Sequence, residues 1–387
     1  MYIPYGKQEI TEEDIEAVIE TLKSDFLTQG PKVPEFESRI SKYCGSSFST
    51  AFNSATSALH GACVALGLKE GDEVWTSPIS FVASANCALY CGAKVDFVDI
   101  DENSFNMSTV KLEEKLEAAK KNNKLPKIVI PVHLAGTSCD MKKIHELSLK
   151  YNFHIIEDAS HAIGGKYKDS KIGKCEYSDI CIFSFHPVKI ITSGEGGVAT
   201  TKSIDIYNKM NSFRTHGIVK DELLMTKKPD GPWYYEQIHL GYNYRLTDIQ
   251  ASLGISQLNK LDRYVSARNN IAKNYNEYFK EIACINSQLI PDNVYSAFHL
   301  YIIRIDDSQI KKSHKDVFVG LRDQGIGVNI HYIPIHLQTY YQNIGFKKGD
   351  FEESEKYYKQ AISLPMFPTM SEKNQDKVIE SLIRLLK

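Results

Sequence analysis

The stretch "DICIFSFHPVKIITSGEGG" (residues 179–197) runs from an apolar segment into a loop that holds Ser184, His186, Lys189 and three glycines. Ile180 to Phe183 form a short apolar run bounded by polar residues, the pattern of a strand buried on both faces. A lysine just beyond such a strand supports two readings. Its stem can lie along apolar surface with the ammonium in water. Alternatively the amine is shielded from water, which destabilises the charged form and leaves a nucleophile for an aldehyde, or a proton shuttle.

On both sides of this stretch helix and strand signals alternate. "SALHGACVALGL", "FVASANCALYCGA", "LEEKLEAAKKN" and "MKKIHELSLKYN" have helical spacing, and "DEVWTSP", "KVDFVDID", "KIVIPVHL" and "FHIIED" read as strands between them. "GGVATT" resumes a strand downstream. At the start, "ITEEDIEAVIETLKS" places Ile15, Val18, Ile19 and Leu22 on one helical face behind Thr11, with Asp14 set to complete a capping box. The rhythm predicts an α/β fold: an open, mostly parallel central sheet flanked by helices. Ligands of such sheets sit beyond the carboxyl ends of the strands, where Asp158 and Ser184 fall.

From about Leu246 the segment "LTDIQASLGISQLNKLDRYVSARNNIAKNYNEYFKEI" is a nearly continuous helical pattern. After it "AFHLYIIRI" and "GVNIHYIPIH" read as strands and "SEKNQDKVIESLIRLLK" as a helix. The expectation is a large unit over residues 1–250 and a smaller C-terminal α+β unit over 251–387, entered by a long helix.

With 387 residues and 42% hydrophobic composition the chain can build a large core. A formal net charge of -2 and the absence of a long basic run argue against nucleic acid or a membrane surface as partner. Neither a signal-peptide pattern nor a stretch of ~20 apolar residues is present, so a cytoplasmic location is expected. Cys44, Cys63, Cys87, Cys91, Cys139, Cys175, Cys181 and Cys284 include no C-x-x-C pair and read as small core residues. His331 and His336 are five apart with no third ligand in view, so no metal site is expected.

In "HIIEDASHAIGG" the pair Glu157 and Asp158 ends an apolar strand, where a carboxylate needs a cation or a donor to stay charged. Asp158 by itself reads equally as a helix cap. Lys189, Asp158 and Ser184 together, with a helix start at "NSATSAL", meet the needs of pyridoxal phosphate: a lysine for a Schiff base, a carboxylate to keep the ring nitrogen protonated, and hydroxyls with helix-start amides for the phosphate.

The chain resembles the DegT/StrS-type sugar aminotransferases, a branch of the fold-type I pyridoxal phosphate enzymes. The segments "LTQGPKVPEFE", "FNSATSALHGACVALG", "SPISFVASANCALYCGAKVDFVDID", "IIEDASHAIGG", "FSFHPVKIITSGEGG", "LGYNYRLTDIQASLG" and "HYIPIH" carry the resemblance, in the family's order and over nearly the whole chain. Within the branch, "NSATSALHGACVALG" and "FVASANCALYCGAKVDFVDID" are most similar to transaminases of pseudaminic acid biosynthesis. The resemblance implies a fold-type I aminotransferase in which Lys189 forms the Schiff base and moves the proton, and Asp158 pairs with the pyridine nitrogen. Ser184, Ala55 and Thr56 would hold the phosphate, Phe81 would cover the cofactor face and His161 would lie close to the ring oxygen. For Phe81 core packing stands as the alternative. Asn243 would reach the phosphate of the neighbouring subunit of a homodimer. Tyr5, Asp25, Phe26, Leu27, Thr28 and the run His331, Tyr332, Ile333, Pro334 lie where the family meets its nucleotide sugar. His186, His216 and Arg214 are polar residues near the expected site without an assigned role.

Two positions depart from many relatives. Ala55 replaces a glycine, which leaves phosphate binding by main-chain amides intact. Relatives that dehydrate sugars carry histidine where Lys189 stands, so lysine favours transamination. The implied reaction is 4-amination of a UDP-linked 4-keto-6-deoxy-N-acetylhexosamine with L-glutamate as donor. Amination at C3, a UDP-4-keto-pentose or dTDP-sugar substrate, and a pyridoxal-phosphate-bound regulatory protein remain the rivals.

Overall fold

A seven-stranded sheet organises the computed structural model, which describes residues 2–387. Its strands are β1 (Phe48–Phe52), β2 (Glu73–Thr76), β3 (Lys94–Phe97), β4 (Ile128–Ile130) and β5 (His154–Asp158). After a small hairpin of β6 (Lys166–Tyr167) and β7 (Ser170–Lys171) come β8 (Ile180–Ser184) and β9 (Gly197–Thr201). The order across the sheet is β1-β9-β8-β5-β4-β2-β3, and only β9 runs against its neighbours. The mostly parallel sheet expected from the alternation of signals is the one found.

Seven helices lie between these strands and at the entry to the sheet: α1 (Glu12–Leu22), α2 (Lys32–Cys44), α3 (Ala55–Ala65), α4 (Ala83–Tyr90), α5 (Thr109–Lys121), α6 (Met141–Tyr151) and α7 (Ile204–Phe213). Strand residues alternate between the two faces they cover. Ile130, Ile156, Ile180 and Ile182 pack under α3 and α4, whereas Cys181 and Phe183 face α2, and Val129 and Ile155 face α5 and α6. Each such side chain contributes about 1.5–3 kcal/mol by leaving water. Both faces of the central strands are therefore apolar, and polar groups collect at the strand ends.

Beyond the sheet, β10 (Ile218–Val219) and β11 (Glu236–Gln237) make a short pair, followed by α8 (Asp248–Leu258) and α9 (Leu261–Phe279). A second core surrounds a three-stranded antiparallel sheet of β12 (Ile285–Ser287), β14 (Tyr301–Ile305) and β15 (Ala361–Leu364), while β13 (Val294–Tyr295) pairs with β6. Helices α10 (His314–Asp323) and α13 (Glu372–Leu386) cover this sheet, and α11 (Thr339–Asn343) and α12 (Glu352–Gln360) connect it to the first.

Two local expectations are corrected, and a third element keeps its expected shape but shows which side it buries. The helical pattern from Leu246 is two helices rather than one, because Asn259 and Lys260 close i→i+3 turns onto Ser256 and Gln257 while the Lys260 ammonium turns to Asp14 at 2.8 Å. The segment "GVNIHYIPIH" is not a ladder strand. Among the described residues it makes one isolated bridge, Asn329 to Ser363, with a second, Ile326 to Ile3, just before it, and the Asn329 side chain takes the Ile330 amide at 2.9 Å. Helix α1 has the expected box, with the Thr11 amide donating to Asp14 Oδ2 at 2.9 Å, but its apolar side faces outward. Asp14 and Thr21 are buried while Ile15, Ile19 and Leu22 are 42%, 42% and 53% exposed. Asp14 turns inward because it accepts from Ser256 Oγ at 2.5 Å and Gln257 Nε2 at 2.7 Å on α8.

Candidate active site

Helix α3 opens directly after β1, and Ser54 caps it by accepting from the Ser57 amide at 3.1 Å. That bond leaves the Ala55 and Thr56 amides, at the positive end of the helix, without a partner among the described residues. Gly197 lies alongside, paired with both Phe52 and Ser184. A Cβ there would stand 2.4 Å from the Ala55 nitrogen and 2.5 Å from the Ser54 oxygen, so only glycine lets β9 approach the helix start. Two free amides and the Ser184 hydroxyl thus gather at one anion-binding spot.

Asp158 ends β5 and turns towards the same cavity. Its Oδ2 accepts from Ser84 Oγ at 2.6 Å and its Oδ1 from the Ser160 amide at 3.1 Å. No helix begins behind it, so the helix-cap reading of Asp158 does not hold. Lys189 sits in the loop between β8 and β9, which is braced by bonds from the Lys189 amide to His186 O, from the Ser193 amide and Thr192 Oγ1 to Phe185 O, and from the Phe185 amide to Gly196 O. Shielding from water pushes the Lys189 ammonium down to about 8, against the opposing pull of Asp158.

These groups share a cavity of about 750 Å³ with Tyr5, Phe81, His161, His331 and Tyr332. Phe81 is 60% exposed there, which removes core packing as its explanation. The Tyr5 and His331 rings meet at a tilt of 50° with centres 5.5 Å apart, and the Tyr332 and Phe81 ring centres are 6.3 Å apart. His331 is held neutral, down to about 3, by burial and then by the Lys189 charge. Asp25, Phe26, Leu27, Thr28, Asn243, Ile333 and Pro334 do not line this cavity. Leu27 and Thr28 are tied to the start of α8 through Asp248 and Thr247, and Asn243 is exposed beside Thr215.

Of the residues left without a role, His186 lines the mouth, 3.9 Å from Glu195. Arg214 lies outside, ion-paired with Glu37 and bonded to Ala51 O under β1, and His216 lies in a turn outside the cavity. Ser84, Ser160, Asn53 and Asn329 line the cavity and escaped the sequence reading. Ser80 and Ser84 stand at a spacing of four, which is the signal that could have paired them.

A mostly parallel sheet flanked by helices, with Lys189 and Asp158 on one cavity, fits the class of pyridoxal-phosphate-dependent transaminases of fold type I. The model of the DegT/DnrJ/EryC1/StrS aminotransferase family matches residues 8–383, and the chain belongs to that family. It is 38% identical to a UDP-4-amino-4,6-dideoxy-N-acetyl-beta-L-altrosamine transaminase of Campylobacter jejuni, over 99% of this chain and 97% of that one. Among solved structures it is similar to Helicobacter pylori PseC, an aminotransferase involved in the biosynthesis of pseudoaminic acid, with 30% identity, a TM-score of 0.90 and coverage of 100% and 99%. A further match is the PLP form of the putative sugar aminotransferase Spr1654 from Streptococcus pneumoniae, with 29% identity, a TM-score of 0.88 and full coverage of both chains, 100% each. The protein is a sugar aminotransferase that uses pyridoxal phosphate. Among the described residues no helix is long and apolar enough to cross a membrane.

Proposed function

We propose that the protein aminates the C4 ketone of a UDP-linked 4-keto-6-deoxy-N-acetylhexosamine, with L-glutamate as amino donor, in pseudaminic acid biosynthesis. One observation carries the reading: a single cavity joins the shielded Lys189, the Asp158 carboxylate and the free amides of Ala55 and Thr56. The similarity to proteins named for altrosamine and pseudoaminic acid chemistry supports the choice of sugar.

The residues present fit the cofactor. The Ala55 and Thr56 amides and the Ser184 hydroxyl would hold its phosphate, favoured by the positive end of α3. Asp158, oriented by Ser84, would pair with the ring nitrogen and favour its protonated form. Phe81, on the cavity wall, would cover a ring face. When bound, pyridoxal phosphate supplies the electron sink that makes a C–H bond beside nitrogen acidic. Lys189, brought down to about 8 by burial, would be the group placed to hold and move that proton. The ring pair of Tyr5 and His331 offers an apolar face with polar edges to a sugar or a uracil.

In this reading residues 1–250 carry the cofactor, residues 251–387 form the smaller unit, and the enzyme works in the cytoplasm as a homodimer in which Asn243 serves the neighbouring site. Exposed Ile15, Ile19 and Leu22 on α1, with Trp233 and Leu240, both 77% exposed, offer apolar surface for a second copy to cover.

The test is incubation of the purified protein with glutamate and a panel of keto nucleotide sugars, with products identified by mass and NMR. A 4-amino-4,6-dideoxy product from the UDP-linked N-acetylhexosamine is expected. Amination only at C3, or only of UDP-4-keto-pentose or dTDP sugars, would overturn the substrate assignment and leave the transaminase class standing.

A further inference from the structure

A second cavity, of about 700 Å³, opens between the turn after β3 and the small sheet, and none of its lining residues belongs to the catalytic cavity. Arg304 of β14 lines it and is only 6% exposed. Across the ladder Arg304 faces Asn286 of β12 and Ala361 of β15, an amide and a methyl, so its own sheet sets no carboxylate opposite the guanidinium. Asp306, two residues further along the strand, spends its carboxylate on Ser308 Oγ and Gln309 Nε2, both at 2.6 Å. Burial brings Arg304 below the ordinary guanidinium range, with Glu353 and Glu102 opposing only from beyond ion-pair distance. Buried charges are as a rule paired, and among the described residues this one has no anionic partner.

The donor census of Arg304 says what could pair with it. A guanidinium has five N–H donors. Nε and Nη2 each give one to Gln360 Oε1, at 2.9 and 2.6 Å, and Nη1 gives one to Glu102 O at 2.9 Å. One N–H on each terminal nitrogen is left without a partner among the described residues. Such a pair matches two oxygens of one carboxylate or phosphoryl group. Lys356 of α12 lines the same cavity, and its ammonium stands 3.7 Å from Glu102 and 3.9 Å from Glu353, too far for a hydrogen bond. Lys280, already paired with Glu277 at 2.8 Å, is the third cation of the wall, against the carboxylates of Glu102 and Asp306.

We propose that this cavity is a second binding site, which takes a small organic anion by its carboxylate or phosphoryl group on the two free N–H groups of Arg304, with Lys356 beside it. The Arg304 bond to Glu102 O and a 2.7 Å bond from Gln288 Nε2 to Ser104 O both cross from the small sheet to the turn after β3. The anion therefore sits on the joint between the small sheet and the large one, and its binding holds that joint closed.

The experiment is calorimetric titration and thermal unfolding of protein loaded with pyridoxal phosphate, which fills the catalytic anion spot, with inorganic phosphate in one arm and malonate in the other. At least one probe is expected to bind with a Kd of about 1 mM or tighter and to raise the melting midpoint as its concentration rises. Phosphate alone assigns a phosphoryl ligand and malonate alone a carboxylate; either supports the site. Arg304→Gln should weaken binding by about 30-fold or more, and Lys356→Glu, at the open edge, by about three- to tenfold. Asn286→Asp sets a carboxylate across the ladder from Arg304, so it should displace the anion without lowering the melting midpoint of the ligand-free protein. Cofactor absorbance at the unmutated level shows that each variant is folded. If Arg304→Gln does not fold, the other two variants decide. Binding that survives both Lys356→Glu and Asn286→Asp unchanged lies elsewhere and overturns the proposal, as does failure of both probes to bind the unmutated protein at about 10 mM.

Discussion

Glu157 and Asp158 are adjacent carboxylates with different surroundings, because successive strand residues face opposite sides of a sheet. Glu157 is buried against His133 Nε2 at 2.8 Å and the Ser178 hydroxyl, while Asp158 turns into the cavity with only hydroxyl and amide donors from the protein. That leaves Asp158 a charge to offer to a ring nitrogen. Asp158→Asn is expected to keep the cofactor yet slow the glutamate half-reaction by orders of magnitude in single-turnover measurements, since an amide cannot stabilise a pyridinium. Near-normal rates would reduce Asp158 to a turn-former. Lys189 makes a second prediction. With its ammonium brought down to about 8, the neutral amine of the cofactor-free protein grows in through pH 8. Cofactor capture, followed by absorbance, should therefore speed up from about pH 7 to 9 and then level off. A rate still climbing at about pH 10, where an ordinary lysine titrates, would show that the amine is not shielded.

At the scale of elements, α1 shows what helical periodicity does and does not reveal. Its apolar face is legible in the sequence, but the face it buries within the chain is set by Asp14, whose carboxylate takes Ser256, Gln257 and Lys260. Asp14→Ala removes the buried carboxylate that pairs with Lys260 and accepts from Ser256 and Gln257, leaving Lys260 to Thr11 and Glu13 and Gln257 to Glu9 O under α1. It should cost about 2–4 kcal/mol, read as a lower denaturant midpoint with an unchanged slope. A loss below ~1 kcal/mol would show that water replaces the network. The same distinction explains the rest of the fold. Strands β4, β5 and β8 are legible because burial on both faces makes them continuous apolar runs, and Asp158, Ser184 and Lys189 follow because they mark the ends of such runs. Strand β1, "FSTAF", is missed because its Ser49 and Thr50 are buried polar residues, with Ser49 held by Glu37 O. Ser84 and Asn329 are missed because their approach to the cavity depends on where α4 and the 325–332 segment pack, which no local pattern records.

The whole molecule is incomplete as one chain if Asn243 serves a neighbouring site, since it is exposed and stands apart from its own cavity. Two-fold symmetry makes this testable. Lys189→Ala removes the amine, and Asn243→Asp sets a negative charge where a phosphate would lie, so each homodimer should be inactive or badly impaired. In a mixed dimer with a shared pocket, one site carries both lesions and the other neither, because the second site takes its lysine from one chain and its asparagine from the other. Random exchange makes half the dimers mixed, and half of their sites are intact, so activity should return to about a quarter of the unmutated level. A pocket built from a single chain predicts no recovery, because every site then keeps the lesion of its own chain. Absence of recovery after exchange, with mixed dimers confirmed by cross-linking, would therefore place Asn243 outside the neighbouring site and leave the cavity of Lys189 and Asp158 as the work of one chain.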